Sequence, residues 1–129
     1  MSKLDKKSVI GISALLVHAA NIDENYSDHE KELVKEFIKS YLKDENLDEI
    51  LKKAEEIEKN SNQLLNYTNI IKQNSSEIKK DIIEHLWKVL ISDNTVDQYE
   101  SNLMRRICGL IYFSDKECAE IKLNLLNSK

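Results

Sequence analysis

Six helix-start signals, spread along most of the chain, constrain the fold of this sequence more than any other feature. In each signal a small polar residue stands three positions before Glu or Gln, and each of the two side chains can bond the other residue's backbone N–H in the first turn of a helix. The pairs are Ser27/Glu30, Asn46/Glu49, Asn60/Gln63, Asn74/Glu77, Asp97/Glu100 and Ser114/Glu117. The chain has no proline and only two glycines, which disfavours the tight turns of a sheet protein. We therefore predict an all-α fold.

Apolar residues at three-and-four spacing follow these signals and predict about seven helices in one compact bundle, a single domain over residues 1–129. The predicted helices are about Ser8–Ala20, Asp28–Leu42, Leu47–Glu58, Ser61–Lys72, Glu77–Ile91, Gln98–Tyr112 and Asp115–Leu126. The first of them is expected to bury one face, which carries Val9, Ile12 and Leu16.

Composition excludes several classes of protein. The 19 basic and 23 acidic residues give a formal net charge of −4, which argues against a nucleic-acid binder with a basic face. No segment approaches the roughly 20 apolar residues that span a bilayer, and no secretory signal follows the N-terminus. We therefore predict a cytoplasmic protein, in which Cys108 and Cys118 stay reduced. Nothing in the sequence around either cysteine marks it as activated.

A stretch of the chain occurs twice, about seventy positions apart. Residues 16–37 and 86–107 align without a gap and place Leu16 with Leu86 and Leu33 with Leu103. In both copies an Asp near the end of one helix precedes a Glu in the first turn of the next. The bundle is thus predicted to contain an internal duplication of a helix–acidic turn–helix unit.

The acidic residues of this duplication have two interpretations. As helix caps and turn formers they need no ligand, because Asp and Glu commonly bond backbone N–H groups there. If the two turns converge, crowded carboxylates would instead favour a cation, and all-oxygen ligands suit Ca²⁺ or Mg²⁺ better than Zn²⁺. The candidate metal ligands are Asp23, Glu30, Asp93, Asp97 and Glu100. An EF-hand is excluded, since its twelfth position falls on Val34 and Met104.

The doubled acidic pattern resembles the TerB-like tellurite-resistance family over about Leu15 to Leu125. The second copy, residues 92–100, matches best, and residues 64–68 and 110–117 are also similar. The family usually has Gly after each Asp, where this chain has Glu24 and Asn94. The resemblance implies a compact all-α domain built on a duplication, in which positions Asp23, Glu30, Asp93 and Glu100 bind divalent metal.

The same resemblance implies a bacterial protein of stress response and tellurite resistance, without enzymatic activity. Its partner would be a protein of a stress-response assembly, with no nucleic acid and with membrane association only through partners. Two alternatives stay open: a purely structural scaffold whose acidic turns are helix caps, and a metal-dependent hydrolase. The hydrolase ranks last, because the sequence shows no evident nucleophile or substrate pocket, and neither a phosphate-binding loop nor a Ser/His/Asp order stands out.

Overall fold

The computed structural model describes residues 4–21, 27–43, 46–60, 65–91 and 98–127, without the side chains of 65, 66 and 98–100. Within these ranges the predicted all-α architecture is confirmed: seven helices and no strand. They are α1 (Lys6–Ala20), α2 (Asp28–Tyr41), α3 (Leu47–Asn60), α4 (Leu65–Lys72), α5 (Ser76–Leu90), α6 (Gln98–Leu110) and α7 (Asp115–Asn127).

Helix α1 is the centre of the bundle and packs against α2, α3, α4 and α5. Ten of its 15 residues are buried, on every side of the helix rather than on the single face predicted. The helix also begins earlier than predicted, at Lys6, because the Asp5 carboxylate accepts a hydrogen bond from the Ser8 N–H at 2.7 Å. A helix that is mostly apolar all round belongs inside a protein, and here it is enclosed by the four helices that follow it.

Three of the predicted helix-start signals lie at helix starts in the structure. Ser27 and Glu30 form the complete reciprocal box at the start of α2. At the start of α3 the Asn46 side chain accepts from the Glu49 N–H at 3.2 Å. At the start of α7 the Ser114 hydroxyl accepts from the Glu117 N–H at 3.4 Å. The Asp97/Glu100 signal lies outside the described residues and side chains.

The two remaining signals involve Asn60 and Asn74. Asn60 is the last residue of α3 and Gln63 lies outside the described residues, so the Asn60/Gln63 start signal stays a prediction. The start signal at Asn74 is wrong: Ser75 caps α5 by accepting from the Ile78 N–H. The Asn74 side-chain amide instead donates to the Ile70 carbonyl at 2.7 Å and thereby satisfies a carbonyl at the end of α4.

A polar and aromatic cluster joins α2 to α5. The Tyr41 hydroxyl donates to Asp81 Oδ2 at 2.7 Å, and His85 Nδ1 lies 2.9 Å from the Asp81 carbonyl oxygen. The Phe37 ring packs between them, with centroids 5.2 Å from both Tyr41 and His85. His85 is therefore a buried structural residue.

A Schellman turn reverses the chain between α6 and α7. The Phe113 N–H donates to the Cys108 carbonyl at 2.8 Å and the Tyr112 N–H to the Gly109 carbonyl at 3.4 Å. This pattern places Tyr112 in the left-handed conformation, with φ of 59°, where Gly is the usual residue. The exposed Tyr112 ring lies under Lys72 Nζ, 4.8 Å from its centroid. In the described part of the chain, no helix is both long and apolar enough to cross a membrane.

Replacing Tyr112 measures the backbone strain of this turn. Gly and Ala both remove the ring, so their difference isolates the left-handed backbone, and we expect Tyr112→Gly to be more stable than Tyr112→Ala by about 1 kcal/mol. The measurement is the free energy of unfolding in urea. Glu120, an exposed position inside α7, serves as the control: there the Ala variant should be more stable than the Gly variant. Equal stabilities at Tyr112 would contradict the strain.

Removing the Tyr41 hydroxyl tests the link between α2 and α5. Tyr41→Phe should lower the free energy of unfolding at neutral pH by about 1 kcal/mol through loss of the hydrogen bond to Asp81. Burial, the hydrogen bond to Asp81 and the charge of Asp81 all raise the pKa of Tyr41. The neutral phenol is therefore favoured in the folded state, and its contribution is complete below the unfolded pKa of about 10 and declines above it.

The free energy of unfolding of the variant should accordingly be lower than that of the wild type at pH 8. Above about pH 10 the two values should approach each other, because the contribution of Tyr41 declines. Urea titrations at both pH values measure them. A difference that stays constant over this range would mean that the hydroxyl does not form this bond in solution.

Candidate functional site

The predicted acidic site is described at one of its five ligand positions. Glu30 lies in the first turn of α2 and is 8% exposed. Asp23 lies in residues 22–26, and Asp93 and Asp97 lie in residues 92–97, all outside the described residues. Glu100 belongs to α6, but its side chain is also outside the description. The structure therefore places Glu30 alone, and the remaining four positions stay predictions.

Glu30 is held by the helix-start geometry that its sequence pattern predicts. Its Oε1 accepts a hydrogen bond from the Ser27 N–H at 2.8 Å, and its own N–H donates to the Ser27 hydroxyl at 3.2 Å. Asp28, beside it in the first turn, is exposed. Both carboxylates lie at the positive end of the α2 dipole, which stabilises negative charge. The first acidic turn therefore ends in a buried carboxylate whose orientation is fixed.

The chain on the other side of this turn, at the end of α1, is bound to α3. The Asn21 amide donates to Glu58 Oε1 at 3.4 Å, and His18 Nδ1 lies 3.4 Å from Glu58 Oε2. The His18 ring also packs against Tyr67 of α4, with centroids 6.2 Å apart. Glu58 was not among the candidate site residues of the sequence. Its contacts with His18 and Asn21 fix the position of the residue that precedes the first acidic turn.

An open groove of about 600 Å³ borders both ends of the first acidic turn. Asn21 precedes the turn and Lys31 follows it, and both line this groove. The other lining residues are Val17, Lys52, Glu55, Glu56, Glu58 and Lys59. The groove thus combines three carboxylates from α3 with three lysines. This is a surface of mixed charge rather than a concentrated anionic site.

The residues that the structure describes contain no group of three or more His, Cys, Asp and Glu side chains able to hold a metal ion. His29, the histidine inside the first acidic stretch, is exposed on α2. A cation site would therefore need carboxylates from the turns at residues 22–26 and 92–97. Helices α1 and α5, which lead into these two turns, pack against each other. The duplication and the convergence of the turns remain sequence predictions.

The protein is thus a small all-α module whose helices pack around a buried first helix. The model of one family, described as tellurite resistance protein TerB, matches residues 10–123. Since this match covers most of the chain, the protein belongs to the TerB family. Searches of curated proteins and of solved structures each returned no match.

Two substitutions of Glu30 separate its backbone role from its charge. Gln can accept from the Ser27 N–H as Glu does, whereas Ala cannot. We expect Glu30→Ala to lower the free energy of unfolding by about 1 kcal/mol and Glu30→Gln to lower it by less than half of that. Urea denaturation without added metal gives both values. Equal losses in the two variants would show that the charge, rather than the capping bond, stabilises α2.

Proposed function

We propose that this TerB-family chain is a non-enzymatic module of a bacterial stress response and that its two acidic turns bind a divalent cation. The ligands would be carboxylates of Asp23, Glu30, Asp93, Asp97 and Glu100. An acidic surface organised by the cation would then contact a protein partner in a stress-response assembly. We place this assembly in the cytoplasm, with any membrane association made through partners and with no nucleic acid involved.

The observation that carries the proposal is the burial of Glu30 at the end of an acidic turn. Burial takes a carboxylate out of water, so a nearby positive charge is favourable. A bound cation would supply that charge, and the hydrogen bond from the Ser27 N–H already orients the carboxylate. Carboxylate oxygens favour Ca²⁺ or Mg²⁺ over Zn²⁺, which prefers nitrogen and sulfur ligands.

Calorimetric titration of the metal-stripped protein with Ca²⁺, Mg²⁺ and Zn²⁺ tests the proposal. We expect the wild type to bind Ca²⁺ or Mg²⁺ more tightly than Zn²⁺, and the Asp23→Asn/Asp93→Asn variant to lose the binding heat. Glu30→Gln should weaken binding at least tenfold, because loss of one charged ligand removes roughly 1.4 kcal/mol or more. Glu36→Gln/Glu120→Gln removes two charges elsewhere and should bind as the wild type does.

A specific observation also favours the structural alternative, in which the acidic turns serve only as caps. Glu30 and Ser27 form a complete capping box, which needs no ligand. Under this alternative the wild type shows no binding heat and the Asp23→Asn/Asp93→Asn variant is destabilised. Absent binding with an equally stable variant would contradict both ideas and leave the acidic surface as a contact for a protein partner alone.

The non-enzymatic assignment has its own test. A metal-dependent hydrolase would use the same carboxylates around Mg²⁺ or Mn²⁺. A screen of phosphoester, carboxylester and peptide substrates with either ion should show no turnover above that of the Asp23→Asn/Asp93→Asn variant. Turnover that disappears in the variant would overturn the assignment.

A further inference from the structure

Two free cysteines meet where the chain reverses between α6 and α7. Cys108 lies near the end of α6, and Cys118 lies in the first turns of α7. Both are buried in the same apolar core, and their side chains lie close enough for the two thiols to interact. The Schellman turn that uses the Cys108 carbonyl holds the two helices in this register. That the two thiols stay reduced remains a prediction from the sequence.

One of the two thiols borders solvent. Cys118 lines an open groove of about 510 Å³ together with Trp87, Arg105 and Lys122. It is 6% exposed, whereas Cys108 is 0% exposed. The Trp87 indole N–H donates to the Cys118 carbonyl at 3.1 Å, and Lys122 Nζ lies 5.2 Å from the centroid of the Trp87 ring. A small polar molecule in the groove can therefore reach Cys118 before Cys108, next to two cationic side chains and the Asp115 carboxylate.

The surroundings distinguish the two thiols chemically. The interaction with Cys108 lowers the pKa of Cys118, and Trp87 and the charge of Lys122 lower it further, whereas burial and the Asp115 carboxylate oppose them. The pKa of Cys108 is raised by its interaction with Cys118 and by burial. Cys118 lines the groove and Cys108 does not, so Cys118 is the residue that a reagent meets first and Cys108 is the residue placed to resolve the product.

We propose that Cys108 and Cys118 form an oxidation site, at which a hydroperoxide that enters the groove converts the two thiols into an intramolecular disulfide. With hydrogen peroxide, the Cys118 sulfur attacks one peroxide oxygen, the O–O bond breaks, and a sulfenic acid and water form. The Cys108 sulfur then attacks the Cys118 sulfur and releases the hydroxyl oxygen as a second water. Two thiols lose two electrons and two protons, and hydrogen peroxide is reduced to two molecules of water.

The product would join α6 covalently to α7. The two sulfurs must approach to about 2 Å for this bond to form, which requires a small movement of one helix against the other. A dithiol reductant would reverse the reaction by thiol–disulfide exchange. This reactivity is separate from cation binding and uses none of the acidic residues assigned to it.

The first experiment uses the wild-type protein and hydrogen peroxide at a small molar excess. We expect the number of free thiols, counted after denaturation, to fall from two to zero. Peptide mapping should identify a Cys108–Cys118 disulfide within a monomer, and dithiothreitol should restore both thiols. Trp87 is the only tryptophan, so its fluorescence reports the reaction without a label. Thiols that stay reduced while the urea-unfolded chain is oxidised, or a disulfide between two chains, would overturn the proposal.

Single variants test the order of events. In Cys108→Ser the reaction should stop at a Cys118 sulfenic acid that dimedone traps. In Cys118→Ser the Cys108 thiol should react at least about tenfold more slowly, because it is buried and held as the neutral thiol. Circular dichroism must show that each variant is folded, and mapping of the partly oxidised wild type gives the order independently. A first oxidation at Cys108 would contradict the assignment.

Lys122 provides a finer test with a matched control in the same helix. Lys122→Gln removes the positive charge beside Cys118 and should slow its oxidation by roughly fivefold, the effect of one partly screened charge. Lys116→Gln removes an exposed charge of α7 that does not line the groove and should leave the rate unchanged. Equal rates in the wild type and Lys122→Gln would show that this ammonium group does not activate Cys118.

Discussion

Burial of α1 on all sides is the constraint on which the rest of the bundle depends. Four helices pack around it, and each can bury its own apolar stripe because α1 supplies a facing surface. Close approach is built into the sequence at Gly11, where an added Cβ would lie 2.5 Å from the Ile70 Cδ1 of α4. Side-chain contacts also fix both ends of α1. One end is capped by Asp5, and the other is held to Glu58 just before the first acidic turn.

Local signals account for what could be predicted of the fold. Apolar spacing identified the helices, and the small polar residues located the starts of α2, α3 and α7. The prediction failed where one side chain has two local uses: Asn74 can cap the next helix or satisfy a carbonyl of the preceding one, and it does the latter. It also assigned α1 a single buried face, because spacing alone does not show how many neighbours surround a helix.

In the candidate sites, too, contacts between residues close in sequence could be predicted, and contacts between distant residues could not. The Ser27/Glu30 box spans three residues, and its pattern is visible in the sequence. The contact of His18 with Glu58 joins residues 40 apart, and that of Tyr41 with Asp81 joins another pair 40 apart. No periodicity relates such partners. Only the packing of α1 on α3 and of α2 on α5 brings them together. The pairing of Cys108 with Cys118 likewise depends on the turn between their helices.

Helix α6 carries one residue of each proposed site, near opposite ends of the helix. It begins directly after the second acidic turn, and Cys108 lies near its other end. The backbone positions of Glu100 and Cys108 are eight residues apart, or about 12 Å along a helix. Charge-to-amide changes in the acidic turns leave both thiols in place, and Cys→Ser changes remove no carboxylate. Hard oxygen ligands and soft thiols also respond to different reagents. Failure of one proposal therefore carries no implication for the other.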